Sequence, residues 1–335
     1  MIFYLRRPLI ISYSMKLRSF CLIFLILNFF CNSSIAQELK ILQDDKNLTL
    51  QLNRNPLYQL PLDEPFLIAA EGKAKVKYKM AAFKFKDKTQ RTCDQLQVDE
   101  VKNSDKKSVV KGNLSGDNCS CNFKMIFKLS KENEVQFRVT VSDTSLNRLI
   151  FKFRSQSDEH FFGFGEQFSH LDLKGHKFHV FSEEQGIGRG DKGITGITKL
   201  VGAAGNEFTT YAPIPFFLTT DQRAMFLENT EYIEYDLRAD EMAEVEVWNN
   251  VISGYFWQGK PLDILEDYTA ITGRMSLLPD WAFGTWLGLQ GGSEKVKRIV
   301  KETKEAGNPV TAIWIQDWVG KRKTSIGSRL WWKRK

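Results

Sequence analysis

The sequence predicts an antiparallel β-sandwich followed by a strand–helix–strand unit whose two strands run parallel. Between residues 39 and 260, apolar residues alternate with polar ones in short runs separated by Gly, Asn and Asp clusters, as in half-buried strands. After residue 261 the apolar spacing becomes helical, and from residue 278 an apolar strand, a helix and a second strand follow one another. A chain of 335 residues accommodates one large or two ordinary domains.

The first 36 residues have the features of a signal peptide. A basic stretch from Met15 to Arg18 precedes an apolar run from Phe20 to Phe30, and small residues end the segment at Ala36. The apolar run is shorter than the roughly 20 residues that a membrane span needs. We therefore predict that residues 1–36 are removed, with Met15 as a candidate start, and that the protein is secreted or lumenal.

The net charge of +7 is concentrated at the two ends of the chain. Residues 1–36 contain four Lys or Arg and residues 321–335 contain seven, and neither segment has an acid. Residues 37–320 hold 36 basic and 40 acidic side chains, a balance of −4. A body of this charge argues against nucleic acid as a partner.

Three cysteines remain after removal of the signal peptide. A disulfide from Cys93 to either Cys119 or Cys121 is expected in an oxidising compartment, and it would leave one thiol over. A metal site is the alternative, but three thiols without a nearby histidine favour it less.

The sandwich is predicted from alternating apolar positions over residues 37–277. Each apolar position should face the core, because successive side chains of a strand point to opposite faces. The positions are Val76, Tyr78 and Met80; Val135, Phe137, Val139 and Val141; Ile233, Tyr235 and Leu237; and Val245 and Val247.

A helix is predicted to close this domain. Pro261 suits the first helical turn and Gly273 suits the C-terminal cap. Pro279 then marks a boundary, so the second domain should begin near Leu278. The side chains expected to share the apolar face of the helix are Leu262, Leu265, Tyr268 and Thr269.

The segment 278–335 is predicted to be a β-α-β unit with parallel strands. The expected elements are a strand over Trp281–Leu289 buried on both faces, a turn at Gly291–Gly292, a helix capped by Ser293 with Val296, Ile299, Val300 and Thr303 on one face, a stop at Gly307–Pro309, and a strand over Val310–Ile315. A closed β/α barrel takes roughly 250 residues. The 58 residues from 278 onward therefore predict an incomplete barrel, which suggests that the chain is a fragment.

Polar and aromatic residues follow the two predicted parallel strands. Gln290 follows the first strand, the motif 316–318 follows the second, and the loop beyond contains Arg329 and Trp332. Ligands of parallel β/α folds bind at the carboxyl ends of the strands. A guanidinium can pair with an anion and an indole can pack on a sugar ring, which suits an anionic sugar. Alternatively, the indoles belong to the core and Arg329 to a surface ion pair.

Four stretches resemble glycoside hydrolase family 31, the α-glucosidase family, and most of all its sulfoquinovosidase branch. They are, in order, FFGFGEQF (161–168), SEEQGIGRG (182–190), LPDWAFGTWLGLQGG (278–292), and the pair IWIQDWVG and TSIGSRLWW near the end. The resemblance implies a galactose-mutarotase-like β-sandwich over 37–277, followed by the first β-α-β of a (β/α)8 TIM barrel over 278–335.

The same resemblance implies the substrate-binding residues. The sulfonate-binding Gln, Arg and Trp of the branch fall on Gln316, Arg329 and Trp332. Plain α-glucosidases of the family usually have Asp at the position of Gln316. A carboxylate there would repel a sulfonate, whereas a neutral amide can donate to it and Arg329 can pair with it.

No catalytic residue is assigned within this sequence. A retaining glycosidase needs two carboxylates about 5 Å apart, and the resemblance places both Asp residues beyond Lys335. The 335-residue chain by itself is therefore expected to be inactive. Four other carboxylates match no catalytic motif and are expected to form loop hydrogen bonds: Glu166, Glu183, Glu184 and Asp317.

Two further motifs are given structural interpretations. His170, His176 and His179 have no supporting carboxylate pair in sequence, so a metal site is not favoured. The stretch 186–191 lacks the Lys-Ser/Thr ending of a phosphate-binding loop. By resemblance, this glycine-rich stretch is a candidate for the sandwich loop that reaches the active-site mouth.

The sequence as a whole predicts a retaining α-glycosidase that hydrolyses α-sulfoquinovosides. The alternatives are an α-glucosidase-type hydrolase of the same family and a non-catalytic carbohydrate-binding remnant. The expected partner is a carbohydrate substrate, with no cofactor, no metal, no nucleic acid, and no membrane span after signal removal. An in-frame continuation past codon 335 with two Asp motifs would favour the hydrolase.

Overall fold

The structure is a computed structural model that describes residues 37–79, 82–184, 189, 193, 196–197 and 204–315, together with the backbone of 322–324 and 327–329. The side chains of residues 78, 79 and 82 are outside this description, as are the predicted signal peptide and Met80.

Twenty-three strands and two α-helices lie in the described part of the chain. In chain order the strands are β1 (Leu39–Gln43), β2 (Asn47–Leu52), β3 (Asn55–Pro61), β4 (Leu67–Gly72), β5 (Lys75–Lys79), β6 (Ala82–Lys86), β7 (Thr89–Cys93), β8 (Gln95–Ser104), β9 (Lys107–Gly116), β10 (Cys119–Lys131), β11 (Glu134–Val141), β12 (Arg148–Arg154), β13 (Phe161–Gly165), β14 (Lys177–Val180), β15 (Pro213–Thr219), β16 (Arg223–Leu227), β17 (Ile233–Asp236), β18 (Met242–Val247), β19 (Val251–Gln258), β20 (Thr285–Leu289), β21 (Val310–Ile315), β22 (Arg322–Thr324) and β23 (Gly327–Arg329). The helices are α1 (Pro261–Thr272) and α2 (Ser293–Glu305).

Two large antiparallel sheets form the predicted sandwich. One has eight strands in the order β13-β15-β16-β19-β11-β10-β9-β8, and the other has six in the order β14-β17-β18-β12-β4-β7. A three-stranded sheet, β1-β2-β3, and a two-stranded ribbon, β5-β6, complete this part of the chain. The antiparallel sandwich that the alternating pattern predicts is therefore confirmed.

An aromatic core lies between the two sheets. Phe153 of the six-stranded sheet has its ring centroid 6.2 Å from that of Phe217 in the eight-stranded sheet. Tyr58 of β3 contacts both Phe153, at 5.1 Å, and Phe256, at 4.3 Å. Burial of this aromatic area supplies the main stabilisation of such a fold.

The core positions predicted in strands β11, β17 and β18 are buried, whereas a predicted core position in the β5-β6 ribbon is exposed. The buried positions are Val135, Phe137, Val139, Val141, Ile233, Tyr235, Leu237, Val245 and Val247. Val76 was expected to face the core but is 52% exposed. Its strand belongs to the separate β5-β6 ribbon, so no second sheet covers it.

Helix α1 begins and ends as predicted but packs on a different face. Pro261 occupies its first turn, and Gly273 follows it with a φ of +99°. Ile264 is 2% exposed, whereas Leu262, predicted to face the core, is 79% exposed. The predicted apolar face was right for Tyr268, whose ring stacks on Phe216 at 4.2 Å, but wrong for Leu262, because Ile264 packs in that cluster instead.

The segment after α1 forms the predicted β-α-β unit. Strands β20 and β21 pair in parallel, with Leu289 opposite Ile315. The first strand begins later than predicted, because residues Asp280–Phe283 form a 3₁₀ turn. The prediction that this strand is buried on both faces was also wrong: Trp286 is 55% exposed, because no further layer covers the strand pair in the described part of the chain. Ser293 is not the cap: Gly292 is the N-cap, and no side-chain hydrogen bond caps the helix.

A disulfide joins the two large sheets. Cys93 of β7 is bonded to Cys119 of β10, and Cys121 is a buried free thiol. This confirms the prediction of one bond from Cys93 with one thiol left over.

No helix in the described part of the chain is long and apolar enough to cross a membrane.

Candidate functional site

The predicted ligand site begins at the carboxyl edge of the parallel strand pair. Leu289 and Ile315 are register partners, so the residues that follow them leave the sheet at the same edge. Gln290, after the first strand, is exposed. Ligands of parallel β/α folds bind at this edge.

The three predicted substrate-binding residues are only partly described. Gln316 and Trp332 lie outside the described residues, together with Asp317, and Trp318 and Trp331 do as well. Of Arg329 the structure describes the backbone, which lies in β23 opposite Arg322 of β22. Their convergence on one sugar therefore stays a prediction.

Large aromatic side chains are exposed near the strand pair. The rings of Trp281 and Trp286 stack with their centroids 5.4 Å apart. Trp286 of β20 and Trp314 of β21 are both more than half exposed. Indole rings of this kind can pack on a sugar face or become core when a further layer of protein covers them.

On the sandwich, an arginine of the glycine-rich stretch is held in a defined position. The Nε of Arg189 donates a hydrogen bond to the carbonyl oxygen of Thr209 at 2.8 Å. Its guanidinium carbon lies 4.0 Å from the centroid of the Phe168 ring, a cation–π contact. Sequence analysis missed this contact, because 21 residues separate the two side chains and no local pattern links them.

Two of the candidate carboxylates are engaged within the sandwich. The carboxylate of Glu183 is buried, with one oxygen 3.3 Å from Nε2 of His179. The hydroxyl of Tyr211 donates to Oε1 of Glu184 at 2.6 Å, and this bond raises the pKa of Tyr211. Glu184 therefore forms the hydrogen bond expected of a loop residue, whereas the buried Oε1 of Glu183 lies close to His179 but has no hydrogen-bond partner among the described residues.

The third carboxylate and the histidines complete this end of the sandwich. Glu166 is exposed, and its backbone N–H donates to Ala212 at 3.0 Å. His170 Nε2 lies 3.1 Å from Oε2 of Glu207, and its ring centroid lies 4.2 Å from that of His176. Within the described ranges, no group of three or more His, Cys, Asp or Glu side chains is arranged to hold a metal ion.

A buried ion pair links Arg223, in strand β16, to Glu159, just before strand β13. The Arg223 guanidinium donates to both oxygens of Glu159, at 2.8 and 2.6 Å, and also to the carbonyls of Leu57 and Arg154. Burial raises the pKa of Glu159, but the hydrogen bonds and charge of Arg223 lower it more, so the net shift is downward. The carboxylate is therefore ionised in the folded protein at neutral pH.

Comparison with known proteins assigns the sandwich to a family. The sequence profile of the glycosyl hydrolase 31 N-terminal galactose mutarotase-like domain matches residues 54–236. The match covers more than half of the chain and includes most strands of both large sheets.

Two curated relatives are sulfoquinovosidases. The protein of Escherichia coli is 29% identical over 301 residues, which cover 88% of this chain and 43% of the relative. The protein of Agrobacterium fabrum is 36% identical over 200 residues, which cover 58% of this chain and 30% of the relative. The chain thus spans less than half the length of either relative.

A solved structure shares the fold of most of the chain. A family 31 sulfoquinovosidase from E. rectale, in complex with an aza-sugar inhibitor, superposes with a TM-score of 0.75 at 26% identity. The likeness covers 87% of this chain and 43% of that protein. The chain therefore belongs to glycoside hydrolase family 31, and its large β-sandwich is the galactose-mutarotase-like domain of that family.

Proposed function

We propose that the protein is a retaining α-glycosidase that hydrolyses the O-glycosidic bonds of α-sulfoquinovosides. The observation that carries the proposal is the likeness, over 87% of the chain, to a sulfoquinovosidase structure. The two sulfoquinovosidase relatives support the same substrate class.

We also propose the domain arrangement. Residues 37–277 would form the N-terminal domain, and residues 278–335 would be the first β-α-β of a (β/α)8 barrel. The parallel pairing of β20 with β21 across helix α2 supports this arrangement, because barrels are built from that unit. The exposed indoles of Trp286 and Trp314 would then be covered by other barrel elements.

The proposed sulfonate site consists of Gln316, Arg329 and Trp332. An arginine can form two parallel hydrogen bonds with a sulfonate and a neutral amide can donate a further one. A carboxylate in place of Gln316 would face the sulfonate with a like charge. These residues therefore select the sulfonated sugar over neutral glucose.

Catalysis by retention requires a carboxylate nucleophile and a carboxylic acid about 5 Å apart. Within the sandwich, Glu183 and Glu184 are engaged with His179 and Tyr211, and we assign neither a catalytic role. The sandwich would instead contribute Arg189, held over Phe168, to the wall of the active-site mouth.

We further propose that the protein acts outside the cytosol after removal of residues 1–36. The disulfide between Cys93 and Cys119 supports this localisation, because such bonds persist in oxidising compartments.

The test is hydrolysis by the gene product at its full natural length. Its kcat/KM for 4-nitrophenyl α-sulfoquinovoside should exceed that for 4-nitrophenyl α-glucoside by roughly 30-fold or more, since a desolvated ionic contact contributes about 2–5 kcal/mol. A preference for the glucoside would favour an α-glucosidase instead. Binding of methyl α-sulfoquinovoside without hydrolysis would favour a carbohydrate-binding protein.

A further inference from the structure

The β5-β6 ribbon carries an unusual array of lysines. Residues 73–90 contain seven lysines and one acid, Asp87. In the register of the ribbon, Lys75 lies opposite Lys86 and Lys77 opposite Lys84. Just outside the ribbon, the backbone N–H groups of Lys73 and Lys88 each donate a hydrogen bond to the carbonyl oxygen of the other, so these two lysines also lie opposite each other.

These six lysines share one face, because alternate residues of a strand point the same way and directly opposed residues lie side by side. All six are exposed. None has an ion-pair partner among the residues that the structure describes. The face is therefore a patch of six positive charges, spaced about 7 Å along each strand and about 5 Å between strands.

The opposite face of the ribbon contacts the sandwich through Phe85. The ring of Phe85 lies 4.7 Å from Tyr232 and 5.0 Å from Phe181, centroid to centroid. Asp87 accepts two hydrogen bonds from Arg148, at 2.9 and 3.0 Å. The single acid of the segment is thus paired on the inner face and does not neutralise the lysines outside.

The fold itself does not need this arrangement. Like charges directly opposite each other destabilise a strand pair, and three such pairs occur in succession. Lysines on an exposed strand discourage pairing with other chains, but that role does not require them to face one another. An anionic partner outside the protein would relieve the repulsion.

We propose that this lysine face binds the surface of a membrane that contains anionic lipids. Lysine is a point charge without the fork geometry that arginine uses for phosphate and base recognition. The aromatic ring of Phe85 is turned toward the sandwich, so it is not available to stack on bases or sugars. A flat array of lysines matches the flat array of headgroups, and each lysine near such a surface strengthens binding about five-fold.

The proposal goes beyond the glycosidase function and does not depend on it. It would place the enzyme against lipid surfaces whose headgroups carry negative charge. The negative overall balance of residues 37–320 conceals this patch, because acids elsewhere offset the lysines.

The experiment is flotation of the full chain with vesicles, in which aggregated protein sinks and bound protein rises. Vesicles of equal parts phosphatidylcholine and phosphatidylglycerol should carry the protein upward at low salt, and vesicles of phosphatidylcholine alone should not. High salt should abolish the binding, since screening shortens the range of the attraction.

Three variants test the face. The replacement of Lys75, Lys77, Lys84 and Lys86 by Gln should lower vesicle partitioning by roughly 100-fold or more. The same four positions replaced by Arg should retain binding, which also controls for folding of the ribbon. A matched variant, with Gln at the exposed Lys106 of the β8–β9 turn and at the exposed Lys107, Lys124 and Lys128 of the eight-stranded sheet, should bind as the wild type does.

Three results would overturn the proposal: equal losses in the two Gln variants, equal binding to neutral vesicles, or equal affinity for dextran sulfate at the same charge concentration. The last would show that the lysines recognise soluble polyanions and not a lipid surface.

Discussion

The sandwich and the β-α-β unit both contain strands rich in apolar side chains, but the burial of those side chains differs greatly. Phe256, in the sandwich, is 0% exposed, whereas Trp314, in β21, is 64% exposed. In the sandwich, a second sheet covers the apolar face of each large sheet. In the β-α-β unit, two parallel strands and one helix have no such cover among the described residues, and helix α2 buries only Val296.

This difference shows that an apolar sequence pattern predicts a strand or a helix but does not predict which part of the protein covers its apolar face. Parallel strands need cover on both faces, because their side chains are apolar on each face and are normally buried by the crossover helices. An antiparallel sandwich closes its core within about 220 residues of this chain. The two regions should therefore respond differently to the same kind of substitution.

The largest difference is expected from aromatic truncation. Phe256→Ala removes a ring that stacks on Phe137 at 4.0 Å and should lower the free energy of unfolding by about 3–5 kcal/mol. Trp314→Ala should change the free energy of unfolding of the sandwich by less than about 0.5 kcal/mol. Urea denaturation followed by near-ultraviolet circular dichroism measures both. Equal effects would mean that the two regions share one core.

A smaller loss is expected from the buried ion pair. Glu159→Gln leaves the Arg223 guanidinium buried with two carbonyl acceptors, so the cost should be about 3 kcal/mol, the low end for a broken buried pair. The control is Glu302→Gln, which removes an exposed partner of Arg298 in helix α2 and should cost about 0.5 kcal/mol or less. A loss below 1 kcal/mol for Glu159→Gln would contradict the assigned role of the pair.

The ion pair also predicts how stability depends on pH. The pKa of Glu159 is lowered in the folded state, so its contribution is fully present above the pKa of an unfolded glutamate and is lost as the pH falls toward the folded pKa. The difference in unfolding free energy between wild type and Glu159→Gln should be constant near neutral pH and shrink in acid. Urea titrations at a series of pH values measure it. A difference that stays unchanged in acid would show that ionisation of Glu159 does not matter.

Local patterns predicted the elements of the fold well. The alternation from Val135 to Val141 and the strand Val310–Ile315 are both confirmed, because one strand's period is visible within a few residues. From the sequence, the disulfide partner of Cys93 could be narrowed to Cys119 or Cys121 but not to one of the two. The choice of Cys119 depends on how β7 and β10 face each other across the sandwich.

Contacts between distant segments could not be predicted. Helix α1 has apolar side chains on more than one face, at Leu262, Ile264 and Leu265. Ile264 is the one that is buried, because it packs in the cluster that contains Phe216. Glu159 and Arg223 are 64 residues apart, so no spacing rule links them. The same holds for Arg189 and Phe168 at the candidate site.

The most direct test of the proposed substrate compares sulfonated and neutral sugars in variants of the full-length gene product. Arg329→Ala should lower kcat/KM for 4-nitrophenyl α-sulfoquinovoside by about 2–5 kcal/mol in transition-state stabilisation, because it removes a charge-assisted contact. Gln316→Asp should cause a similar loss through like-charge repulsion. Both variants should retain their kcat/KM for 4-nitrophenyl α-glucoside, and Gln316→Asp should improve it, since Asp is the residue usual in the neutral-sugar enzymes. Equal losses on the two substrates would contradict the account, because they would assign these residues to the fold or to the shared part of the sugar ring.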